Sequence, residues 1–211
     1  LWTTRAPVEK DLIKPLPATP TAGEHRPAPE TAGFPAPTSA RSVRVMEPDV
    51  VMDPDVLGQP YERRTIDLAS DDEGPVVATL VRRFAEHRSG RAVLYVHGFV
   101  DYFFQTHLAD FFTGRGFDFY ALDLRKYGRS LLAHQTPNFC RDVSEYHPEL
   151  DAAMEIIRGE DGARTVLVMG HSTGGLITAL WAHERRDAGL VDGLFLNSPF
   201  FDFNAPWVVR R

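Results

Sequence analysis

Gly170-His171-Ser172-Thr173-Gly174 is a G-x-S-x-G pentapeptide. A serine set between glycines can act as a nucleophile when the chain bends sharply there, because the glycines let neighbouring backbone come close and leave the hydroxyl standing clear. The pentapeptide directly follows the apolar run Thr165–Met169 and opens a helical stretch, which is the strand, turn and helix order that such a bend needs. The start of that helix would aim backbone N–H groups and a positive dipole end at a developing oxyanion. The chemistry expected of Ser172 is therefore acyl transfer, with the Thr173 amide as one oxyanion donor. A plain serine helix cap is the bland alternative. A second amide has to come from a loop beside the bend, and His97-Gly98-Phe99-Val100-Asp101, at the end of the run Arg91–His97, can present that of Phe99. Standing alone, His97 would read as a satisfied core histidine beside a glycine turn.

Alternating strand and helix signals must hold these two segments together. Tyr61–Leu68 and Val76–Arg83 are β-rich and flank the turn Asp71-Asp72-Glu73-Gly74-Pro75, which predicts an antiparallel pair. Arg91–His97 is a short continuous apolar run of the kind covered on both faces, Thr165–Met169 reads as another buried strand, and Phe117–Leu124 and Leu194–Asn197 read as strands as well. Helices are expected over about 104–115, near 149–158 with Pro148 in the first turn, and over 174–186. Strands separated by crossover helices predict an α/β fold, a mostly parallel sheet with flanking helices, led by an antiparallel hairpin.

Of 16 prolines in the 211 residues, 8 fall in residues 1–45. That stretch cannot repay its ordering entropy with a core, so residues 1–45 are expected to be a disordered Pro/Ala-rich tail, and residues 46–211 the folded part. The tail carries a net charge of +2 against −8 for the remainder, so the acidity belongs to the folded part. No broad basic surface is left for nucleic acid, and no glycine-rich phosphate loop follows the first parallel strand. No apolar run is long enough for an integral membrane segment, and no signal-peptide pattern occupies the first 30 residues, so the cytoplasm is the expected compartment. Cys140 is the single cysteine, read as an ordinary buried or half-buried thiol. Neither a metal nor a cofactor is expected, since histidines and acids show no ligand spacing.

The segments VLYVHGF (93–99), Asp123-Leu124-Arg125-Lys126-Tyr127-Gly128-Arg129-Ser130 and VLVMGHSTGG (166–175) resemble the α/β-hydrolase superfamily, in the branch of monoacylglycerol lipases, lysophospholipases and serine aminopeptidase-type hydrolases. The resemblance spans about residues 61–211. Val100 stands where that branch usually has a second glycine, Asp101 where it has glutamate, and Lys126 where the second motif has glycine. It implies a serine hydrolase acting on carboxylic esters, lipid or small ester, through a covalent acyl-Ser172 intermediate.

The same resemblance implies a catalytic order of serine, acid, histidine. Only His183 follows Ser172, 11 positions on and about 16 Å along the helix at 1.5 Å per residue, out of reach. His171, next to Ser172 on a tight turn, points its side chain away. Asp202, after the run Leu194–Asn197, is the candidate acid, and a turn-forming aspartate is its bland reading. The chain is accordingly expected to be the N-terminal part of a hydrolase domain, incomplete at the C-terminus, with Met46 or Met52 as its real start. The aromatic cluster Tyr102, Phe103, Phe104, Phe200, Phe201, Phe203 and Trp207 would suit an acyl chain, or be plain core. The alternative reading of the whole is a noncatalytic fragment or binding module on a hydrolase scaffold.

Overall fold

The computed structural model describes residues 52–202; the expected tail over 1–45, and Phe203 and Trp207, lie outside them. In chain order the elements are β1 (Asp53–Pro54), β2 (Glu62–Asp71), β3 (Gly74–Arg83), β4 (Arg91–Val96), α1 (Thr106–Thr113), β5 (Phe117–Asp123), α2 (His147–Glu155), β6 (Thr165–His171), α3 (Thr173–Glu184) and β7 (Gly193–Asn197). Among the described residues the strands form one sheet in the order β1-β2-β3-β5-β4-β6-β7. The first three strands pair antiparallel and β3 meets β5 antiparallel, while β5, β4, β6 and β7 run parallel.

The apolar runs of β4, β5 and β6 become strands covered on both faces because alternate side chains go to opposite layers, whereas Leu194 and Phe195 of β7 are exposed. Leu94 and Val96 of β4 join Tyr120, Leu122, Val166 and Val168 in a core closed by Leu150 of α2 and Ile177 and Trp181 of α3. Val93 and Tyr95 point the other way, with Phe119 and Met169, onto Ala109 of α1 and Phe103.

The hairpin between β2 and β3 does more than lead the sheet. Asp71 and Glu73 at its tip both pair with Lys126 Nζ at 2.6 Å. Asp72 pairs with Arg141, and Glu73 also accepts from the amide and hydroxyl of Thr136. The hairpin thereby holds the long connection between β5 and α2.

The second helix starts earlier than the sequence implies, at His147. A capping box precedes it, in which Asp142 accepts from the Ser144 amide at 2.8 Å and Glu145 from the Asp142 amide at 3.2 Å. It then runs into a π-type turn over Ile156–Glu160, closed by the Asp161 amide on the Ile156 carbonyl at 2.9 Å.

After β4 the chain moves through α1 to β5 on one side, and later returns to β6 on the other. The carboxyl ends of β4 and β6 thus flank a switch in strand order, where open parallel sheets leave a crevice. Val96 pairs in register with Gly170, so residues 97–99 and 171–173 emerge side by side.

Candidate active site

Ser172 joins β6 to α3 with φ 52° and ψ −119°. A non-glycine residue held there costs about 1–3 kcal/mol and persists only where its surroundings over-determine it. They do so here. The Ser172 amide donates to the Asn197 carbonyl at 3.1 Å, and its own carbonyl accepts from the amides of Gly175 (3.0 Å) and Phe200 (2.9 Å). The glycines are there for contact: a Cβ at Gly174 would lie 2.5 Å from the Val96 carbonyl oxygen, and one at Gly170 would lie 2.6 Å from the Gly174 carbonyl oxygen. Ser172 is half-buried, and no side chain among the described residues hydrogen-bonds its hydroxyl. Thr173 is the first residue of α3, where helix geometry leaves the amide without an intrahelical acceptor.

The turn after β4 abuts this bend: a Cβ at Gly98 would sit 3.1 Å from Ser172 Cβ. The amide of Phe99 has no acceptor among the described residues, and its ring is exposed. The two segments expected to carry the oxyanion donors therefore lie against one another. His97 is a buried, satisfied histidine. Its Nε2 accepts from the Leu124 amide at 3.1 Å and its Nδ1 lies 2.8 Å from the Gly98 carbonyl, which makes Nδ1 the protonated nitrogen.

Burial pushes the His97 imidazole below its usual range, against the pull of the Gly98 carbonyl and of the Asp123 and Asp101 carboxylates. In the unfolded chain this residue takes up a proton near pH 6.5, and in the folded chain it does so only at lower pH. Folding stability is expected to fall as pH drops below about 6.5, by up to ~1.4 kcal/mol per pH unit from this residue. Urea unfolding at pH 7 and pH 5 reads this directly. His97→Gln should shrink the difference, and an unchanged difference would clear His97 of the effect.

Val100, where a glycine was to be expected from the family pattern, has φ 53° and is 68% exposed. A β-branched residue is strained at that angle. Val100→Gly relieves the strain and loses little burial, against a loss of about 0.4–1 kcal/mol through the freer unfolded chain. A net gain of about 1 kcal/mol in urea unfolding is expected, and a measured loss would contradict the strain. Lys126, the other residue in a glycine's place, also sits at positive φ (63°) and is tied to Asp71 and Glu73.

The remaining candidates separate. Asp202 is exposed, two residues beyond Phe200, whose amide reaches the Ser172 carbonyl. His183 is exposed near the far end of α3. His171 Nδ1 lies 3.8 Å from an Asp101 carboxylate oxygen, beyond hydrogen-bond distance. The aromatic cluster divides: Phe103 is fully buried among Tyr61, Tyr95 and Phe119, whereas Tyr102, Phe104 and Phe201 are exposed. Cys140 is half-buried. A cavity of about 190 Å³ beside the bend is lined by Tyr95, Gln105, His107, Leu108, Met169, His171 and Asn197. Among the described residues no group of three or more histidine, cysteine or acidic side chains could hold a metal ion, and no helix is long and apolar enough to cross a membrane.

Sequence reasoning gave no role to Asp123 and Arg129, although both fall in a quoted motif, and it had no signal for Asp55. Asp123 accepts from the Phe103 amide at 2.9 Å and from Arg129 Nη1 at 2.8 Å, and Arg129 forks onto Asp55 at 2.7 and 2.9 Å. Burial alone would raise the Asp55 carboxyl, but hydrogen bonds from Arg129 and from the Leu57 amide hold it below the ordinary carboxylate range.

Residues 87–211 match the family described as "Serine aminopeptidase, S33". Solved structures with the same fold include a probable hydrolytic enzyme from Pseudomonas aeruginosa PAO1 (22% identity, TM-score 0.53, covering 66% of this chain and 42% of that one). A thermostable carboxyl esterase from Bacillus coagulans matches at 19% identity and TM-score 0.52, over 64% of this chain and 43% of that one. A soluble variant of monoglyceride lipase from Saccharomyces cerevisiae matches at 20% identity and TM-score 0.53, over 63% and 44%. The chain thus spans less than half the length of each of these structures. No curated protein sequence matches it.

Proposed function

Because the chain belongs to the serine aminopeptidase S33 family of α/β hydrolases, we propose that it is the nucleophile-bearing part of a serine hydrolase acting on carboxylic esters, lipid or small ester, through a covalent acyl-Ser172 intermediate. The observation that carries this reading is the left-handed backbone at Ser172, a non-glycine residue, at the head of α3 and against Gly98. Strain of this kind gathers at reactive sites.

In the proposed reaction the Ser172 oxygen attacks the ester carbonyl carbon while its proton passes to a histidine. The carbonyl oxygen becomes an oxyanion held by the amides of Phe99 and Thr173. Collapse expels the alcohol, which takes the proton from the histidine. Water, deprotonated by the same histidine, then attacks the acyl-enzyme and releases the acid and the free serine. The histidine is assigned to none of the described residues, and Asp202 is kept as a candidate for the acid that orients it. Neither His97, locked in its own hydrogen bonds, nor His183, far along α3, suits the role. Ester over amide follows from the motif resemblance, and a cytoplasmic small-molecule substrate belongs to the same reading.

A fluorophosphonate probe tests the proposal, with the modified peptide mapped by mass spectrometry in the intact protein. Adduct on Ser172 is the expected result. A protein that takes up neither probe nor ester would leave the noncatalytic binding-module reading in its place, and one that hydrolyses short-chain esters with no adduct on Ser172 would overturn the acyl-Ser172 intermediate.

A further inference from the structure

The loop between β4 and α1 carries the Phe99 amide, yet backbone hydrogen bonds within the loop do not fix it. Side chains fix its two ends. At its near end stands His97, bonded to Gly98 and to Leu124. At its far end the peptide groups of Phe103 are gripped on both sides: its amide donates to Asp123 Oδ1 at 2.9 Å, and its carbonyl accepts from Arg129 Nη1 at 2.9 Å. Asp123 is the last residue of β5, so this grip refers the loop to the sheet itself. Arg129 is held in turn by its own amide on Asp123 at 3.1 Å and by the two-pronged contact with Asp55. Gly128 lets Tyr102 approach so closely that a Cβ there would overlap the Tyr102 side chain.

We infer that Asp55, Arg129 and Asp123 are positioning residues for the oxyanion donor: a buried clamp that sets where the Phe99 amide points, with Asp55 as its member most distant in sequence. The inference rests on the acyl-transfer reading above. The side chains of Asp55, Arg129 and Asp123 are 0%, 5% and 0% exposed. Two carboxylates sharing one guanidinium is a poor arrangement for stability alone, since it buries an uncompensated negative charge. It suits a fixed geometry, because the planar fork of arginine can satisfy Asp55, Asp123 and the Phe103 carbonyl at once, which a lysine cannot do. An oxyanion donor gains its effect from being held in place before the charge develops.

The test compares Arg129→Lys and Asp55→Asn with Arg125→Lys, which weakens an equally buried ion pair in the same connection without touching the loop. Amide hydrogen exchange over residues 98–104 and steady-state hydrolysis of p-nitrophenyl butyrate are read on each, with thermal melting as the measure of plain destabilisation. Arg129→Lys should speed exchange over 98–104 at least tenfold and lower kcat at least tenfold, with KM within threefold of the parent. Asp55→Asn, the milder and near-isosteric change, should move both in the same direction by less. Arg125→Lys should lower the melting temperature and leave both at parent values. Parent-like exchange in Arg129→Lys overturns the inference, and so does a freed loop with unchanged kcat. If the unsubstituted protein neither turns over the ester nor takes up a fluorophosphonate at Ser172, the acyl-transfer reading has failed first and the catalytic role of the clamp goes with it. A labelled, active parent whose variants keep their kcat sinks the clamp alone.

Discussion

Ser172→Ala is expected to lower kcat for ester hydrolysis by about five to six orders of magnitude, with KM changed only a few-fold and fluorophosphonate labelling gone. The loss is that large because the hydroxyl is the proposed nucleophile, for which no neighbouring side chain is a ready substitute. His171 Nδ1 lies 3.8 Å from an Asp101 carboxylate oxygen, and His97 is enclosed at the ends of β4 and β5. Binding would survive, since the amides proposed to hold the oxyanion belong to the backbone. Stability provides an independent check. Alanine still has to adopt φ 52°, so Ser172→Ala should melt within a few degrees of the parent, whereas Ser172→Gly removes strain of about 1–3 kcal/mol and should melt higher while being equally inactive. More than one hundredth of the parent rate in Ser172→Ala would end the covalent reading.

Arg125→Ala should cost about 3–5 kcal/mol of stability. Arg125 follows β5 and reaches Glu149 in the first turn of α2, with contacts of 2.6 to 3.1 Å, and the Arg125 amide adds another at 3.2 Å. Glu149 is 0% exposed. Burial pushes its carboxyl upward against the opposing pull of Arg125, so without the guanidinium the group must take up a proton or stay charged in an apolar setting. Either course loses stability. Replacing both partners, as in Arg125→Met with Glu149→Leu, should recover most of it, because no charge is then left buried. Urea unfolding of the three proteins decides the matter. A loss below 1 kcal/mol for Arg125→Ala would mean that water or another cation reaches Glu149.

What the sequence disclosed was whatever is written locally. The runs now seen as β4 and β6 read as doubly covered strands because nearly every position is apolar, and the bend after β6 announced itself by its glycines. The start of α2 at His147, ahead of the expected 149, follows from the capping box opened by Asp142 five residues earlier, which starts a 3-10 turn over Val143–Tyr146 that runs straight into the helix. Phe103 and its neighbours show the limit most clearly. Three aromatics in a row carry no period, and only the path of the loop decides that Phe103 is enclosed while Tyr102 and Phe104 face solvent. Asp55 was beyond reach, since a contact spanning 74 positions to Arg129 leaves no mark on either local pattern. Val100 and Lys126 were visible as departures from a family motif, but the reason that motif prefers glycine, a left-handed backbone at both, came only with the fold.

The hairpin tip gives the molecule a salt-sensitive part. Three consecutive acids hold a long stretch of irregular chain at Lys126, Thr136 and Arg141, and the outermost of these pairs, Asp72 with Arg141, is open to solvent on both sides. Dissolved ions shield such attractions within a few ångström at molar strength, while leaving the apolar layers on either side of the sheet intact. Raised ionic strength should therefore loosen residues 131–145 first, and a protease added at that point would nick the protein there while the strands remained whole.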